Sequence, residues 1–197
     1  MKNLHIILIS ILSFTIVSCS EEEETSSSSA EIEGTWKTTC YETGNYYATD
    51  TFTLSGTSAV LYYKYYSDSS CSSDNYIVTY NFSNYSEGSD MVFSSYGTSG
   101  GSGKQITMTL TSTTEMPQNS VEVSWYNNNS YCGETDWALD TANDTTGLTC
   151  GGSTRWNADA TIYGLYLLDG DSMFGTLSNS AYPSSVSTGD NDTFTKQ

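Results

Sequence analysis

Imidazole, thiol and carboxylate carry most protein chemistry, and this chain of 197 residues rations the three very unevenly. It has one histidine, His5, which sits inside an oily N-terminal segment. If that segment is removed on export, the mature chain has no imidazole. Ser-His-Asp and Cys-His nucleophilic catalysis and histidine-ligated metal sites then go with it. Carboxylates are plentiful, with 23 Asp and Glu in all, and a pair of them is enough for glycoside hydrolysis. None is marked by a motif, however. Asp169/Asp171 and Asp190/Asp192 are D-x-D pairs among turn residues, where Asp serves local hydrogen bonding. Neither continues into the D-x-D-x-D-G of a calcium loop. No pattern calls for a metal or a cofactor, and the expected role is binding, not catalysis. The thiols are Cys19, Cys40, Cys71, Cys132 and Cys150. The last four form an even set without a C-x-x-C pair, so in an exported chain two disulfides are expected over a zinc site. Of the three pairings that four cysteines allow, Cys40–Cys71 and Cys132–Cys150 close local loops and are the expected ones.

Cys19 stands apart. Residues 1–18, MKNLHIILISILSFTIVS, give a short n-region with Lys2 and an apolar run from Leu4 to Val17. The run is shorter than the ~20 residues of a spanning helix, which fits a secretory signal peptide. Ile16-Val17-Ser18-Cys19 resembles the lipobox of bacterial lipoproteins. The resemblance implies cleavage before Cys19 and lipidation of its thiol and new amino group, a firm anchor when several acyl chains are attached. Ser20 and Glu21 to Glu24, followed by serines, resemble the surface-export signal of certain outer-membrane lipoproteins. The composition of residues 19–30 itself reads as a disordered, self-repelling tether. The expected location is therefore the outer membrane, lipid-anchored and facing the cell exterior.

Without residues 1–18 the chain keeps 23 acidic side chains against five basic ones, Lys37, Lys64, Lys104, Lys196 and Arg155, a net charge of −18. Such a surface repels nucleic acid and anionic headgroups, which excludes a nucleic-acid partner.

Residues 31–197 suit one domain with a real core. Their Tyr, Thr, Ser and Gly content favours strands and turns, and apolar residues recur with period two. Phe52 and Leu54 alternate with threonines. Leu61, Tyr63 and Tyr65 face inward with Lys64 outward. Tyr76, Val78, Tyr80 and Phe82 share a face, as do Ile106, Met108 and Leu110, and Val121, Val123 and Trp125. Asp136–Thr145 is the one stretch read as a short turn of helix. Asp169-Gly170 predicts a tight type I′ hairpin turn, and Ser94–Lys104 a longer loop. The expected fold is all-β: a single antiparallel up-and-down barrel of eight to ten strands, since closure removes exposed edges.

Gly34-Thr35-Trp36 resembles the G-x-W signature of lipocalins, in which the tryptophan plugs one end of an eight-stranded up-and-down barrel. The resemblance implies a last strand near Thr193–Lys196 and a late arginine stacked on the tryptophan. Here the sole arginine is Arg155, beside Trp156, and the last strand offers only Lys196. The expected ligand is a small apolar or amphipathic molecule lined by Tyr63, Tyr80, Trp125 and Trp156 in a monomeric barrel. The alternative is an adhesion or glycan-binding module that uses exposed aromatics and the polar loop Asn127–Ser130.

Overall fold

The computed structural model describes residues 30–93, 101–186, 189 and 192–197. The signal, Cys19 and nearly all of the tether lie outside them. The chain runs β1 (Gly34–Thr38), β2 (Tyr41–Thr43), β3 (Tyr46–Ser55), β4 (Ser58–Tyr66), β5 (Asp74–Phe93), β6 (Gly101–Pro117), α1 (Ser120–Asn128), β7 (Asn143–Asp144), β8 (Thr149–Cys150), β9 (Ser153–Thr154), β10 (Thr161–Asp169), β11 (Ser172–Ser178) and β12 (Thr193–Lys196). Eight strands form a ring in sequence order: β1, β3, β4, β5, β6, β10, β11 and β12, each antiparallel to the next. β1 closes it by pairing on both edges. Trp36 stands opposite Phe52 on one side and Lys196 on the other. The up-and-down barrel expected from the period-two pattern is the observed fold.

Closure turns the alternate residues of each strand into one core. Ile32, Trp36, Leu54, Ala59, Phe82, Met108, Leu110 and Ile162 are buried in a single cluster that fills one end. Trp36 is its plug. The side chain is 2% exposed, and its indole N–H donates to the Ile32 carbonyl at 2.9 Å. Lys196 places its ammonium 5.3 Å from the centre of the Trp36 ring. Lysine thus fills the stacking position that the lipocalin resemblance gave to an arginine.

Two irregularities reset which side chains point inward. Asn81 pairs with Ser112 but Phe82 with Leu110, so Thr111 is an extra residue in β6. The bulge reverses the alternation, and Thr113 and Glu115, each 0% exposed, replace the even-numbered residues inside. A second shift between Ser83 and Ser86 turns Tyr85 and Glu87 toward Tyr166, whose hydroxyl donates to Glu87 at 3.1 Å.

Between β6 and β10 the chain makes a long excursion over the other end of the ring. It contains α1, the β8–β9 hairpin and the Cys132–Cys150 disulfide, and β7 is stitched to β6. Tyr126, Trp137 and the disulfide form its own small core. The other disulfide, Cys40–Cys71, ties the β1–β2 corner to the β4–β5 turn with Cα atoms 6.0 Å apart. Both expected pairings are present.

Four expectations change. Val121–Trp125 is helical, not a strand. Asn119 caps the helix, its side chain accepting from the Glu122 amide at 2.8 Å, and this local bond outweighs the period-two pattern. Asp136–Thr145 is irregular and ends in β7. The two-residue loop of the last hairpin is Gly170-Asp171, flanked by the Asp169–Ser172 pair, with Gly170 at φ +59°. Finally, residues 101–104 belong to β6; residues 94–100 of the expected loop lie outside the described set.

If Trp36 holds the closed end, Trp36→Ala should cost about 3–5 kcal/mol in urea denaturation. Lys196→Ala, which removes the cation over the Trp36 ring, should cost about 1 kcal/mol or less.

Candidate functional site

The core does not fill the ring. A cavity of about 310 Å³ lies among Ile32, Phe52, Leu61, Tyr63, Met173 and Phe194, with Trp156 of the excursion also on its wall. A second space of about 310 Å³ adjoins it, sharing Leu61, Tyr63 and Trp156 and extending to Tyr65, Tyr80 and Arg155. A missing side chain on β11 helps to leave the room. Gly175 of β11 faces the first space, and a Cβ built there meets nothing within 4 Å. Gly164, in the neighbouring strand, is the contrary case, since its Cβ would collide with Ile106 and Leu177 at 2.6 and 2.7 Å.

The polar groups divide into a neutralised set and an unneutralised one. Glu115 accepts from Arg155 Nη2 at 2.8 Å and from the Tyr126 hydroxyl at 2.5 Å. This buried ion pair joins the cap to β6. A carboxylate with no exposure is tolerable there only because a cation and a hydroxyl meet it. The pair also spends the charge of Arg155, the one cationic side chain on the wall of either space.

Asp50 has no such partner. It is 4% exposed on β3 and in phase with Phe52 and Leu54, and it faces the first space. Its two oxygens accept from the Tyr41 hydroxyl at 2.9 Å each, and its amide donates to Thr38 Oγ1 at 2.9 Å. The ion pairs formed among the described residues, Lys64–Asp74, Lys104–Glu87 and Arg155–Glu115, leave it out. Burial pushes its carboxyl up to about 7. The Tyr41 hydrogen bond works against this and the nearby Asp192 carboxylate adds to it. Asp192, just before β12, lines the same space. The cavity therefore has an apolar, aromatic wall and a negative spot.

Of the residues expected to line a ligand site, Tyr63 and Trp156 border both spaces and Tyr80 the second. Tyr63 and Tyr80 meet edge to face at 5.8 Å, and Tyr80 lies 5.4 Å from Trp156. Trp125 is elsewhere. It rides on α1, 49% exposed, against Tyr126 and Tyr131. Its place follows from the helix that replaced the expected strand. Asp50, Asp192, Glu115 and Gly175 were not foreseen as site residues. Asp50 was detectable, because extending the Phe52/Leu54 alternation two residues back puts a carboxylate in the apolar phase. Glu115 was hidden by the Thr111 bulge. The α1 start carried a signal in Asn119-x-x-Glu122, a capping spacing.

Glu115, Cys132 and Cys150 lie close enough together for a metal, but both sulfurs are committed to the disulfide. No protein-family model matches the chain, and no curated protein matches it.

The raised carboxyl of Asp50 has a definite consequence for stability. The folded state holds this proton more tightly than the unfolded chain, whose Asp titrates near 3.8. Its contribution is intact below pH 4 and is lost as the pH rises to about 7. Asp50→Asn, which cannot ionise, should leave stability at pH 4 nearly unchanged. At pH 8 it should raise stability by on the order of 3 kcal/mol, measured by chemical denaturation at both pH values.

Proposed function

We propose that this protein is a surface lipoprotein whose barrel holds a small amphipathic molecule without transforming it. The observation that carries the reading is the pair of adjoining spaces inside a closed ring, walled by Phe52, Leu61, Tyr63, Tyr80 and Trp156. Their size falls within the range typical of ligand pockets, about 300–1,000 Å³, and the aromatic wall supplies apolar area with fixed geometry. The excursion contributes Trp156 to both walls and Arg155 to the second, so it borders the spaces directly. The adhesion alternative has less behind it. Exposed Trp125 and Val121, 49% and 76% exposed, share one face of α1, but a single exposed indole on a short helix is a small platform for a glycan.

The anchoring part of the proposal rests on the N-terminal sequence. Cys19 carries the acyl chains, residues 20–30 act as the tether, and the domain faces outward in the outer leaflet. Cys19→Ala should abolish incorporation of labelled palmitate and release the protein from the membrane fraction. Retention of label would refute the lipobox assignment.

For the pocket, titration with the neutral fluorophore N-phenyl-1-naphthylamine should give saturable fluorescence enhancement at one site per chain. Gly175→Phe places a ring where the wall is open and the backbone is unstrained. It should change the unfolding free energy by no more than about 1–3 kcal/mol and abolish the enhancement. Unchanged binding in that variant would locate the probe outside the ring.

A further inference from the structure

We infer that the molecule held in the barrel is an organic cation, an aromatic or alkyl amine whose ammonium group lies against Asp50 and whose apolar body lies along Tyr63, Phe52 and Trp156. This rests on the pocket reading above and adds the chemical class of its ligand.

Charge on the walls of the joined spaces is unevenly matched. Three ionisable side chains other than tyrosine border the joined spaces: Asp50, Asp192 and Arg155. Arg155 is already matched by Glu115 at 2.8 Å, a carboxylate behind the wall with no exposure. Asp50 and Asp192 face the first space together, and neither joins an ion pair formed among the described residues. A buried carboxylate answered by a single hydroxyl is costly unless a cation arrives. An anionic ligand would instead add negative charge beside the two carboxyl groups. A neutral ligand would leave the cost in place.

The surroundings of Asp50 suit an ammonium group. The carboxylate is held by the Tyr41 hydroxyl of β2, and the Asp50 backbone amide is held by Thr38 Oγ1 of β1. Tyr63, opposite it on β4, and Trp156 border the same space, and aromatic rings attract desolvated cations. The whole-chain charge of −17 adds long-range attraction for cations.

Binding of an amine by this route should strengthen as Asp50 ionises. The titratable and charged groups facing Asp50 are Tyr41 from β2, Tyr63 and Tyr65 from β4, and Asp192 from the turn before β12. Burial pushes all three tyrosines upward, which leaves Asp50 as the group that changes charge near neutrality.

A matched series separates the contributions: 1-naphthylmethylamine, 1-naphthylmethanol and 1-naphthoate share one apolar body and differ in charge. Calorimetry at 0.3 M salt screens the general negative field. The amine should bind about ten-fold tighter than the alcohol, the carboxylate should bind more weakly than either, and amine affinity should rise between pH 6 and 8. Asp50→Asn should erase the preference for amine over alcohol and its pH dependence. The exposed control Glu134→Gln should retain both. Equal affinities for amine and alcohol, or a preference that survives Asp50→Asn, would overturn the cation assignment and leave the pocket standing. Failure of every member to bind in a manner sensitive to Gly175→Phe would overturn the pocket reading itself, and the cation assignment with it.

Discussion

The pairing of β1 along both of its edges is the constraint from which the remaining structure follows. Once Trp36 is locked between Phe52 and Lys196, the ribbon has no free edge, and the inward side chains of eight strands must share one enclosed volume. How that volume is divided is then a matter of side-chain size. Large residues crowd the Trp36 end: Leu54, Phe82, Met108, Leu110 and Ile162. Beyond them Gly175 contributes nothing, and Tyr63, Tyr80 and Trp156 stand as walls around space they do not occupy. Closed floor and hollow upper half are two outcomes of one closure.

The same enclosure sets the rules for charge. Within the ring water is scarce, so each carboxylate there must find a partner or hold its proton. Glu115 takes the first course through Arg155 and Tyr126. Glu87 is similar: burial disfavours its charge, but hydrogen bonds from Lys104, Tyr166 and Tyr85 outweigh that and hold its carboxyl below the usual range. Asp50 takes the second course. Glu87 and Asp50 are thus pushed in opposite directions by their neighbours, and the one pushed upward faces the empty volume.

How far the sequence discloses this depends on the range of the interaction involved. Alternation is local, and the strand faces through Phe52, Leu61, Tyr80 and Met108 were legible from it. So were the two disulfides, which close short loops. The register-dependent features were not. The bulge at Thr111 depends on how β6 meets β5, and without it Glu115 reads as one more surface acid. Helix α1 shows the opposite failure. V-E-V-S-W alternates well enough for a strand, yet Asn119 caps a helix that exposes Val121 and buries Glu122 and Tyr126. Short polar helices of this kind are fixed by their caps and by the surface they land on, and hydrophobic period is a poor guide to them. The pocket lay between these extremes. Its wall was readable as a set of aromatic inward residues, but the emptiness depends on a glycine in one strand and on side chains far apart in the chain.

The cap leaves the ring at the end of β6 and rejoins it at the start of β10, and these two strands are themselves neighbours. Beyond Thr109, however, β6 bonds the excursion instead of β10: β7 pairs with Thr114 and Glu115, and the Thr113 amide donates to Thr146. The excursion also carries Arg155 and Tyr126, the partners of buried Glu115. Stave and insert are thereby constrained to change together, since a chain that replaced the insert would have to rebuild the outer half of β6 and find new partners for Glu115.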